Sequence, residues 1–216
     1  MPAVNPDKDI PDLSGQVIIV TGGNAGLGHE TIRQLAKHNP ARIYLAARSK
    51  QKATAAIKSL KESDPHASPI TFLHLDLASL ESVKSAVKEF LDSEFRLDIL
   101  INNAGIMIVP EGLTKEGNEI QFGTNVIGPA LFTQLLQPTI RQTVKLNPEA
   151  RVVNLSSASE QMAPKNIYEF SMLKTTWSDL NTTVLYTLQR LPLSITPPPS
   201  PAVIQASRSS VSIQEW

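Results

Sequence analysis

Short apolar runs alternate with longer amphipathic stretches from Gln16 to about Leu155. "QVIIVT" (16–21) is a continuous apolar run, the pattern of a strand covered on both faces. "AGLGHETIRQLAKH" follows it, with Leu27, Thr31, Leu35 and His38 at helical spacing. The pattern then predicts strand two over 41–47, a helix over 49–63 opened by Ser49, strand three over 70–76, and a helix over 79–93 capped by Ser79. Strand four spans 97–102, a long apolar-striped helix 116–140, and strand five 150–157. Five strands with four intervening helices imply right-handed βαβ units and a parallel sheet. The fold class is therefore α/β: a Rossmann-type, doubly wound sheet of order 3-2-1-4-5. Residues 1–15 read as an N-terminal extension, and 16–190 as a dinucleotide-binding domain.

The C-terminal stretch breaks this rhythm. Pro192, Pro197, Pro198, Pro199 and Pro201 fall close together, with Arg208 and Glu215 the only charges in 191–216. This composition predicts a Pro/Ser-rich, disordered tail, with the sixth and seventh strands of such a sheet missing.

Composition narrows the function classes. Twenty basic and twenty acidic residues cancel, which disfavours a nucleic-acid partner. With no cysteine among 216 residues, disulfide, thiolate and zinc–thiolate chemistry are excluded. The N-terminus "MPAVNPDKDIPDLSG" is acidic and lacks an apolar core, and no run reaches the ~18 apolar residues of a spanning helix. The expectation is a cytoplasmic protein without a membrane partner.

The candidate chemistry starts where strand one meets the next helix, in "TGGNAGLG" (21–28). Glycine supplies positive φ and close backbone approach, and the helix N-terminus offers N–H groups to a pyrophosphate. Gly22, Asn24, Gly26, Leu27 and Gly28 are the candidate phosphate cradle; a tight turn without ligand is the plainer alternative. Strand two ends in "LAARSKQK", with Arg48 where an acid would take the ribose of NAD. Arg pairs bidentately with phosphate, which favours NADP over NAD.

The motifs "TGxxxGxG" (21–28), "NNAG" (102–105), Asn125, "VNLSS" (153–157) and Tyr186-x-x-x-Arg190 occur in the order found in the short-chain dehydrogenases/reductases. The resemblance covers about residues 14–188. In flavour it is similar to the retinol-dehydrogenase-like and WW-domain-oxidoreductase-like branch, as in fungal members. It implies that Asp76 and Leu77 meet the adenine side and that Asn103, Ala104 and Gly105 line the adenosine. By the same likeness Asn125 keeps a proton-relay water, Ser157 holds the substrate oxygen, and Tyr186 is the general acid/base. It implies an NADP-dependent enzyme interconverting a carbonyl and an alcohol on a small molecule, with secondary metabolism as the setting.

The chain departs from that pattern at Arg190, where the family carries lysine. Arg keeps the charge that would stabilise a phenolate, but it gives up no proton. Pro192 follows two residues later, and a proline ends a helix there. The sudden loss of family character reads as truncation or a frame change. A catalytically impaired remnant that at most binds nucleotide therefore stands as the alternative. A third reading takes "TPPPSP" as a ligand for an aromatic groove. A homo-oligomer stays open, with its pairing helix interrupted.

Overall fold

The computed structural model describes residues 5–157, 174–175, 203–207 and 210–214, the last two stretches as backbone only. Tyr186 and Arg190 lie outside the described residues. The chain begins with a short helix, α1 (Pro6–Asp9), followed by β1 (Val17–Thr21) and α2 (Gly26–Leu35), which tightens into a 3-10 turn at Ala36–His38. Next come β2 (Arg42–Ala47), α3 (Lys50–Ser63), β3 (Ile70–His74), α4 (Leu80–Ser93) and β4 (Ile99–Asn102). Then α5 (Ile120–Phe122) runs through a π-helical segment, Gly123–Ile127, into α6 (Gly128–Val144), before β5 (Arg151–Leu155).

The sheet has the expected order β3-β2-β1-β4-β5, all parallel. It does not stop there. β6 (Val203–Ser207) pairs in parallel with β5, and β7 (Ser210–Gln214) antiparallel with β6. The expectation that sixth and seventh strands are missing is corrected, and with it the reading of all of 191–216 as a disordered tail. The proline and serine weight of 194–201 masked a different pattern downstream. "VIQAS" and "SVSIQ" carry β-branched residues, and two residues separate them, which is hairpin spacing.

Side chains alternate across a strand, so β1 feeds two cores. Val17 and Ile19 join Val83, Phe90, Leu100, Phe132 and Leu136, under α4 and α6. Ile18 and Val20 join Ile32, Ile43, Leu45, Ala53 and Leu60, under α2 and α3. Helices on both faces explain why the central strands are continuous apolar runs. The N-terminal extension is part of this body. Leu13 is fully buried in the second core, and the Lys37 ammonium meets Asp7 at 2.7 Å.

Two helical details differ from the periodic reading. In α2 the buried residues are Gly28 and Ile32, while Leu27 is 55% exposed. The apolar stripe through Leu27 was off register because that leucine belongs to the glycine turn. The long helix begins at Ile120, four residues later than expected, and continues to Val144. Thr114 to Asn118 form a tight turn instead, with Gly117 at φ +73° and Glu119 capping the helix.

Candidate cofactor and active site

Thr21 ends β1 and ties two loops together. Its Oγ1 accepts from the Asn103 and Ala104 N–H groups, both at 3.0 Å, while Asn103 Nδ2 donates to Thr21 O at 2.9 Å. The turn after β4 is thereby fastened to the glycine turn after β1, at the carboxyl edge of the sheet. Gly22 sits at φ +67°, and a Cβ there would stand 2.9 Å from Ala104 Cα. A Cβ on Gly28 would lie 2.5 Å from Asn103 Nδ2 and 2.6 Å from Gly22 O. Gly26 is at φ +55° with open space around it. The first two glycines are thus required by close approach and the third by backbone conformation.

The start of α2 suits an anion. Its N-cap, Ala25, offers no side-chain acceptor, and the first turn has no acid. Glu30 lies one turn in. Hydrogen bonds from Arg33, with a further one from Gln34, hold its carboxyl down to about 2. Its negative charge is matched locally by Arg33. The N–H groups and the positive end of the helix dipole remain for a ligand. Leu27 and the half-buried Asn24 complete the rim.

The neighbouring strands bring up the other candidates. Arg48 follows β2, exposed and without an ion pair among the described residues. Ser49 caps α3, accepting from Lys52 N–H at 3.3 Å. Asp76 lies two residues beyond β3, half-buried, and its Oδ1 accepts from Ala78 N–H at 3.0 Å. That bond shapes the turn into α4, whose cap is Ser79. Leu77 is buried, and a Cβ on Gly128 would lie 2.3 Å from Leu77 O, so this glycine lets α6 reach the β3–α4 turn. Gly105 is exposed at the mouth.

Asn125 occupies the π segment, where the Gly128 N–H reaches back five residues to Gly123 O. Such bulges gather at functional sites because they re-aim backbone and side chains. Asn125 grips Ile106 twice: Oδ1 accepts from its N–H and Nδ2 donates to its O, each at 2.8 Å. Ser157 lies two residues past β5 and is half-buried. β5 is held in register to β4 by an Asn102–Asn154 side-chain bond of 2.8 Å. The structure thus brings 22–28, 48, 76–77, 103–105, 125 and 157 to one edge of one sheet. Thr21 was read only as the start of the glycine motif, and Gln121 and Gly128 were missed from sequence. All three roles depend on contacts remote in sequence. Among the described residues no cluster suits a metal ion, and no helix is long and apolar enough to cross a membrane.

These features have relatives. The family model "short chain dehydrogenase" matches residues 16–183, ending before Tyr186. A short-chain dehydrogenase/reductase of Armillaria gallica is 51% identical over 156 residues, covering 72% of this chain and 50% of the relative. An uncharacterized oxidoreductase of Schizosaccharomyces pombe is 44% identical over 159 residues, covering 73% of this chain and 46% of that protein. The chain spans about half the length of the curated relatives it matches. A solved structure of a putative uncharacterized protein from Mycobacterium Paratuberculosis superposes with TM-score 0.67 at 31% identity, over 84% of this chain and 60% of that one. A metagenomic short-chain oxidoreductase in complex with NADP reaches 0.61 at 21% identity, over 82% of this chain and 70% of that one, and shares the fold. With the sheet order, the glycine turn and the family match over 16–183 in agreement, the chain belongs to the short-chain dehydrogenase family.

Proposed function

We propose that this chain forms the nucleotide-binding body of an oxidoreductase that uses NADP to interconvert a carbonyl and an alcohol on a small molecule. The observation that carries the reading is the cradle at 22–28. Two glycines are packed too closely for any side chain, beside a helix N-terminus without a side-chain cap. The residues present fit a dinucleotide. Gly22 to Gly28 would take the pyrophosphate, Asp76 and Leu77 the adenine side, and Asn103 to Gly105 the adenosine. The bound nicotinamide would supply or accept a hydride.

What this chain's residues would do is hold and protonate. The Ser157 hydroxyl would donate to the carbonyl oxygen as negative charge develops there. Tyr186 would give that oxygen its proton, with Arg190 stabilising the phenolate that remains. Asn125 would hold the relay water that returns the proton. A small product of secondary metabolism as substrate is part of the same proposal, carried by the resemblance to fungal members of the family.

For NADP over NAD we rely on Arg48, which follows β2 and is exposed. The Arg48→Asp chain should prefer NADH. A titration of both nucleotides in one buffer should show at least a tenfold reversal of the affinity ratio, about 1.4 kcal/mol. An unchanged ratio would end the assignment.

A second reading has its own support. Arg190 replaces the family's lysine, Pro192 follows, and the family match stops at 183. On this reading the chain binds nucleotide without turnover. Purified full chain with NADPH and a panel of quinones, aldehydes and ketones separates the two. Turnover that falls at least ~100-fold in Tyr186→Phe, as expected for loss of an acid/base group, supports the enzyme. Tight NADPH binding with no turnover supports the second reading.

A further inference from the structure

The loop that leaves β4 is held in an unusual shape. Ile108 has φ +52°, a left-handed conformation that is an outlier for a β-branched residue. Such a conformation persists only where surrounding contacts enforce it. Gln121 supplies one of them. It is 1% exposed, at the start of the helix that carries Asn125, and its Oε1 accepts from the Ile108 N–H at 3.0 Å. Together with the two Asn125 bonds to Ile106, three hydrogen bonds from one helical segment fix residues 106–108.

The side chains this arrangement displays are apolar. Met107 is 56% exposed and Ile108 52%. Small-molecule sites are lined mostly by apolar side chains, so two adjacent ones at a candidate site suit a ligand with an apolar body. They sit on the loop beyond β4, whose neighbour β5 leads to Ser157.

We infer that Gln121 is a positioning residue that holds Ile108 left-handed, so that Met107 and Ile108 form an apolar selectivity face favouring carbonyl compounds with an extended hydrocarbon body. This rests on the oxidoreductase reading of the carboxyl edge. Gln121 touches neither substrate nor cofactor on this view; it acts through the Ile108 backbone. The side chains select, and the two Ile106 bonds keep the loop attached to the π segment.

The test uses the full chain and needs no turnover. Amide hydrogen exchange is followed at residues 104–112. Binding of 2-decanone and of 2-butanone is measured by saturation-transfer NMR with NADP present, and NADP binding is measured alone. In Gln121→Leu, exchange at Ile108 should speed at least about tenfold while β1 and β4 stay protected. Binding of 2-decanone should weaken about tenfold, 2-butanone should change little, and NADP affinity should be unchanged. Gln121→Glu, which keeps an acceptor, should restore most of the protection. Ile108→Gly guards against a variant that fails to fold, since glycine adopts the left-handed conformation freely. It should melt no lower than the parent yet lose 2-decanone binding. Parent-like exchange at Ile108 in Gln121→Leu, or parent-like 2-decanone binding in Ile108→Gly, overturns the inference. Failure of the parent chain to bind NADP counts instead against the oxidoreductase reading, and the exchange measurement still decides the role of Gln121.

Discussion

Replacing Gly28 with alanine lowers NADPH affinity at least ~100-fold, about 2.7 kcal/mol. The added methyl group would stand 2.5 Å from Asn103 Nδ2 and 2.6 Å from Gly22 O, far inside contact distance. Neither neighbour can yield cheaply. Asn103 Nδ2 is donating to Thr21 O, and Gly22 is already at φ +67° with Ala104 against it. The turn must therefore open, and the N–H groups at the start of α2, proposed to hold the phosphate, diverge. Overpacking of this kind also lowers stability by ~1–3 kcal/mol. Gly26→Ala is the control. It has open space but a φ of +55°, so its cost is backbone strain of about 1–2 kcal/mol without a clash. Fluorescence titration with NADPH, paired with thermal melting, separates the two variants. Parent-like NADPH affinity in Gly28→Ala would remove the cradle as the binding site.

The largest loss of stability is expected from Asp98→Ala. Asp98 is completely buried, just before β4. Its Oδ2 accepts from Val17 N–H and Arg96 Nε, both at 2.9 Å. Its Oδ1 accepts from the second Arg96 nitrogen at 2.6 Å and from Asn147 Nδ2 at 2.8 Å. Its backbone also bonds Val17 O and the Arg151 N–H. The carboxylate thus ties the start of β1 to Arg96, just before β4, and to the turn after α6, while the Asp98 backbone ties in the start of β5. Its charge and hydrogen bonds raise the Arg96 pKa above its ordinary value. Truncation leaves a peptide N–H, an amide and part of a guanidinium without their acceptor. Breaking such a buried pair costs about 3–5 kcal/mol, a large part of the ~5–15 kcal/mol that holds a typical domain together. Urea denaturation should show a lower midpoint with an unchanged slope. Below the transition, NADPH affinity should be unaffected, because Asp98 lies at the opposite end of the strands from Gly28. A midpoint shift worth less than about 1 kcal/mol would mean that the Arg96 side chain, 23% exposed, turns to water and relieves the loss.

The two variants differ in how far sequence could foresee them. Gly28 was visible because the demand for a glycine turn between a strand and a helix is local, written into eight consecutive residues. Asp98 was not, since nothing around "RLDILIN" tells that its partners are 81 residues before and 49 after it. The same contrast runs through the site. Arg48 was proposed from its place at the end of strand two, and Asp76 and Asn125 from the family resemblance, whereas Gln121 needed the loop it holds. Leu27 was read both as part of the candidate cradle and as part of an apolar helix face, and its 55% exposure removes the second reading. The hairpin of β6 and β7 was hidden by the prolines before it.

By itself the sequence determined the parallel order of five strands, the family and the place of the glycine turn. Strand burial on two faces, helical period and glycine conformation are all enforced over a few neighbouring residues. Tertiary structure alone decided that Thr21 sews the β1 and β4 turns together, that Gly128 admits α6 to Leu77, and that Gln121 holds Ile108 left-handed. Each of these is a contact between segments brought together only when the sheet is complete, and hydrogen bonds and close packing act over ångströms in space, whatever the distance along the chain.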